Sequence, residues 1–158
     1  MSVSRWQLCA LVVIGVVVGS DPDRDKAGVF AQQRGSTIVT RVFTGSDGEA
    51  HAEAMEMKVT PRPGPQGRYS EASETLKVAG LQMRRWAPGY VNDWHPVSQR
   101  EYTIGVSGRS EIEVAGGQKV LVEAGRVVLF EDLTGKGHIV RTIGAEDCVT
   151  LHVNLDNQ

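Results

Sequence analysis

Residues 89–108 read GYVNDWHPVSQREYTIGVSG. Side chains in a strand alternate between its two faces, so residues an even number apart share a face. His95, Val97 and Glu101 are two and six apart. If the turn between them preserves the alternation, all three point into the same interior. Thr103 and Gly105 continue that face and are small, which leaves room for a ligand. Tyr102, Ile104 and Val106 lie on the other face and form a hydrophobic layer. Residues 101–107 are therefore predicted to be a strand with one polar face and one apolar face.

Downstream, strand signals recur at hairpin spacing. Residues 111–114 and 119–122 flank Gly116-Gly117, a two-glycine hairpin turn. Gly125 opens a strand over 127–130, and a polar, glycine-rich loop follows over 131–137. Residues 138–142 and 149–153 are the last strands. In the latter, Val149, Leu151 and Val153 alternate with Cys148, Thr150 and His152. Upstream, residues 75–86 read as a long strand stopped by Pro88-Gly89. Residues 61–67 (PRPGPQG) are expected to be irregular, because proline removes a ladder donor. Residues 52–59 fit either helix or strand, 45–48 a turn, and 37–43 (TIVTRVF) a β-branched strand. Many short strands with glycine turns, no internal repeat and no convincing helix after residue 60 predict an all-β barrel or jelly roll.

The chain has 158 residues and a net charge of −2, with a pI near 6.1. No basic run interleaved with aromatics occurs, which argues against a nucleic-acid partner. Residues 8–19 (LCALVVIGVVVG) are almost wholly apolar. Twelve residues are short for a membrane span but suit the core of a signal peptide. Residues 1–31 are read as a signal peptide, or an uncleaved N-terminal anchor, plus a linker; the folded domain is read over 37–158. Export to a periplasmic or extracellular space follows, with membrane contact only through an uncleaved leader. Cys9 would leave with the leader, so Cys148 has no partner for an intrachain disulfide and is expected to be a small buried hydrophobe.

The pattern Gly89-x5-His95-x-Val97-x3-Glu101-x6-Gly108 resembles the first motif of the cupin family in every spacing. Val97 stands where that family has a second histidine. Residues 125–138 (GRVVLFEDLTGKGH) resemble a lengthened second cupin motif ending in His138. The segment EDLTGKGH is similar to one found in a group of small bacterial cupins with no settled biochemical role. The resemblance implies a cupin jelly-roll β-barrel preceded by a signal segment. It also implies a divalent metal held by His95, Glu101 and His138. Two imidazoles and a carboxylate suit Fe, and also Mn, Zn or Ni, and leave coordination positions open.

Val97, Gln99, Thr103, Asp132, Thr134 and Lys136 are the expected pocket residues. Asp132 would orient His138, and Lys136 would hold an anionic group. His51 is expected on the surface. His152 is expected to line the pocket or face outward, with a fourth metal ligand as the sharper alternative. The function expected is a metal-dependent enzyme (oxygenase, isomerase or lyase) acting on a small polar or anionic molecule. The alternative is a metal-free cupin that binds a small molecule or sugar without catalysis. Because cupins commonly pair through their outer sheet, a homodimer is a further expectation.

Overall fold

The computed structural model describes residues 37–156 except 68. Twelve strands lie in these residues, and no α-helix is found among them. They are β1 (Thr37–Thr44), β2 (Ala50–Met57), β3 (Thr60–Pro63), β4 (Tyr69–Ala72), β5 (Val78–Trp86) and β6 (Val91–His95). They continue as β7 (Glu101–Ser107), β8 (Arg109–Glu113), β9 (Lys119–Glu123), β10 (Val127–Glu131), β11 (His138–Ile143) and β12 (Cys148–Leu155). Six form one sheet in the order β2-β1-β10-β7-β12-β5, and four form a second in the order β6-β11-β8-β9. All pairings are antiparallel except β1 with β10. The sheets enclose a core of Val42, Ile112, Val114, Val122, Val128 and Phe130, with Val97 and Val140 packed against it. This is the two-sheet jelly-roll barrel that the strand pattern predicts.

Strand alternation decides what reaches the interior. On β7, Glu101, Thr103 and Gly105 are buried while Tyr102 and Ile104 are half-buried on the opposite face. On β12 the polar set Cys148, Thr150 and His152 is the buried one. Val149, Leu151 and Val153 are half-buried on the outer face. Register carries the polar stripe across strands: His152 pairs with Thr103, and Thr150 with Gly105. Gly105 is needed where the sheets meet, since a Cβ there would stand 2.0 Å from the Glu123 carbonyl oxygen.

Three expectations are corrected. Residues 60–63 are a strand, paired with β4 in a separate two-stranded ribbon. Proline is tolerated there because such a ribbon is all edge. The β8–β9 connection is a five-residue loop, 114–118, rather than a two-residue turn, and Gly116 and Gly117 both take positive φ. The long strand β5 begins at Val78, three residues later than its pattern suggests. The ambiguous stretch resolves as β2, which pairs with β1 along all eight residues. The leader expected over 1–31 lies outside the described residues.

Candidate functional site

One cavity opens among the inner faces of both sheets, with a volume of about 60 Å³. That is room for about four to six water molecules at ~10–15 Å³ each. Its lining includes His95, Val97, Glu101, Thr103, His138 and His152. The three expected metal ligands thus face one cavity, together with Val97 and Thr103. Gln99, Asp132, Thr134 and Lys136 do not line it.

His95 ends β6 and His138 opens β11, and the two are direct cross-strand partners. Their ring centroids are 4.6 Å apart, and His138 stacks on Phe130 at 4.5 Å. Each imidazole is anchored through Nδ1. His138 Nδ1 donates to Asp132 Oδ2 at 2.6 Å; the histidine is 2% exposed and Asp132 is fully buried. His95 Nδ1 donates to the Asp93 carbonyl at 2.6 Å. A backbone carbonyl and an ionised carboxylate only accept, so each ring, when neutral, would keep its Nδ1 proton and carry its lone pair on Nε2. Asn92 Nδ2 donates to that lone pair on His95, at 2.9 Å.

The 131–137 loop acts from behind the site. Asp132 orients His138, as its place before the histidine suggests, and its carbonyl accepts from Val97 N at 3.1 Å. Asp132 Oδ1 is buried without a hydrogen-bond partner among the described residues. Gly137 has φ 72°, and a Cβ on it would stand 2.1 Å from the His95 carbonyl oxygen. Gly135, with φ 77°, packs in the same way on the Gly48 carbonyl. The two glycines let the loop lie directly on β6 and on the 45–48 turn. Lys136 is thereby held over the Trp94 ring, 3.8 Å from its centroid. Thr134 is exposed, and its carbonyl accepts from Thr44 Oγ1 at 3.1 Å.

Glu101 has a different partner from the one expected. Its Oε1 accepts from His152 Nδ1 at 2.9 Å. Thr103 Oγ1 is 3.2 Å from the same His152 nitrogen and 3.4 Å from Glu101 Oε1. Burial alone would raise the Glu101 carboxyl. The hydrogen bond and charge of His152, with Arg84 and Thr103, outweigh it and hold the group below the ordinary glutamate range. Among the described residues, no three His, Cys, Asp or Glu side chains converge on a point where an ion could sit. His138, anchored through Nδ1, fits a divalent ion, because Nδ1 anchoring is how proteins aim Nε2 at a metal; His95 fits one only where Asn92 gives up its bond to Nε2. The carboxylate, turned to His152, does not complete the set. His51 is a surface residue, paired with Asp47 at 3.0 Å.

His152 is the site residue that sequence reasoning undervalued. Its signal was the alternation with Thr150. What that alternation could not supply was the register that sets His152 beside Thr103 and Glu101.

No family model matches the sequence, and no curated protein matches it. Among solved structures, similarity is found to a conserved protein of unknown function from Streptococcus pyogenes. It is 14% identical, with a TM-score of 0.41, over 54% of this chain and 71% of that one. A cupin domain from Bordetella pertussis is 15% identical, with a TM-score of 0.41, over 64% and 96% of the two chains. A cupin-2 domain protein from Shewanella frigidimarina is 12% identical, with a TM-score of 0.38, over 85% and 92%. The architecture of this chain, in its own strand order, is a two-sheet all-β jelly-roll barrel.

Proposed function

We propose that the barrel interior binds a divalent metal (Fe, Mn, Zn or Ni) through Nε2 of His95 and His138, with a small polar or anionic molecule beside it. The observation that carries this reading is the double anchoring. Two adjacent imidazoles each have Nδ1 tied to an oxygen, which leaves Nε2 as the nitrogen of each ring that would take an ion, that of His95 once Asn92 releases it. A bound ion would supply Lewis-acid polarisation of a carbonyl or hydroxyl oxygen. The chain's own residues do the rest. Asp132 and the Asp93 carbonyl fix the two rings, Asn92 covers His95, and Arg84 lines the cavity as a cation able to meet an anionic group.

Elemental analysis of gently purified full-length protein tests this. Near-stoichiometric metal is expected in the wild type and in His51→Ala. His95→Ala and His138→Ala should lose most of it while keeping the wild-type far-ultraviolet spectrum. Equal occupancy in all four proteins would remove the site. A second reading is a metal-free pocket for a small molecule, and the Glu101–His152 pair favours it because it withdraws the third ligand. That reading requires metal-free protein that retains a small organic molecule in native mass spectrometry.

A further inference from the structure

A second constellation on the cavity wall does not involve His95 or His138. Thr150 Oγ1 lies 3.0 Å from His152 Nε2, and His152 Nδ1 lies 2.9 Å from Glu101 Oε1. Trp86 Nε1 lies 3.1 Å from Thr150 Oγ1. The direction of each bond follows from chemistry. An indole nitrogen only donates, so Thr150 accepts from Trp86 and its own proton is free to point at His152. An ionised carboxylate only accepts, so His152 keeps its proton on Nδ1 and accepts on Nε2. The order is hydroxyl, imidazole, carboxylate. All four side chains line the cavity, and Thr150 is only 2% exposed.

We infer that Thr150, His152 and Glu101 form an acyl-transfer centre, with Thr150 as nucleophile, His152 as general base and Glu101 as the group that orients it. The same connectivity activates a hydroxyl on several unrelated folds. Thr150 Oγ1 attacks the carbonyl carbon of an ester as its proton passes to His152 Nε2. The ester C–O bond breaks, and the alcohol departs with the proton that His152 returns. Water then adds to the acyl-threonine, giving its proton to His152. The Thr150–acyl bond breaks and the proton returns to Thr150. The Trp86 N–H, held on Oγ1, stabilises the alkoxide character that develops there. A cavity of about 60 Å³ has room for a short acyl group such as acetyl.

The test uses the full chain, p-nitrophenyl acetate and a metal chelator, so its outcome is independent of metal at the two cavity histidines. An acetyl group should appear on Thr150 by peptide mass mapping, with a burst of nitrophenolate. Thr150→Val and His152→Gln should each lower the burst rate at least ~100-fold, the scale of a positioned general base. Thr150→Ser should keep an acetylated residue 150. Acetyl found on lysines alone in the wild type, or an undiminished burst in folded Thr150→Val, would show that the chain of hydrogen bonds only satisfies buried polar groups. The wild-type mapping decides the matter even if Thr150→Val fails to fold.

Discussion

Val97 concentrates the chemistry of the site in one side chain. It lines the cavity, packs against the core, and stands where a second motif histidine would be. Replacing it with histidine places an imidazole in a largely apolar wall. Without a partner, that costs about 1–3 kcal/mol on the scale of protein substitutions. If His95 and His138 hold a metal, the new imidazole gains a partner when metal is present. A ligand that binds only the folded state then stabilises it by mass action. Val97→His should therefore melt below the wild type when metal is stripped and recover when Zn or Ni is added. A melt that metal does not move would mean that residue 97 does not reach the ion.

At the scale of elements, the 131–137 loop and β6 are one mechanical unit. Gly137 is held at positive φ against the backbone that carries His95. Alanine there meets both left-handed strain and a direct clash. Gly137→Ala should lose at least about 2 kcal/mol of stability in denaturant unfolding. It should also weaken ligand binding more than a distant substitution of equal cost, because His95 must move. Much of this was legible beforehand. The strands from Glu101 to Val153 follow from alternation and glycine turns, and Asp132 behind His138 follows from its proximity in sequence. Pairing across the barrel was not legible. Nothing local in 60–63 announces partners six to twelve residues away, so a proline-rich stretch read as irregular. Lys136 and Thr134 sit next to His138 in sequence, yet Gly135 and Gly137 turn the loop so that Lys136 covers Trp94. The polar face of β12 was read from its period, but its role depends on which strand lies beside it.

For the whole molecule, two carboxylates link stability to acid. Burial would raise the Glu131 carboxyl, but hydrogen bonds from Arg41 and Arg100 outweigh it and hold it below the ordinary range, as His152 does for Glu101. A depressed folded pKa contributes stability that is fully present above the ordinary glutamate value of 4.5. That stability is lost as pH falls through the lower, folded value. Melting temperature should therefore fall on acidification below about pH 4.5, and Glu131→Gln should flatten that fall. An unchanged acid limb in Glu131→Gln would mean that the Arg41–Glu131–Arg100 cluster is not linked to folding. The central claim is that His95 and His138 present their Nε2 atoms to one ligand inside this barrel. Nitrogen-15 NMR of the histidine rings tests it most directly. Before metal, both rings should show the Nδ1–H tautomer. On adding Zn, Nε2 of both should shift together at one equivalent, with His51 unmoved. Rings that carry their proton on Nε2, or that ignore Zn while His51 responds, would contradict it.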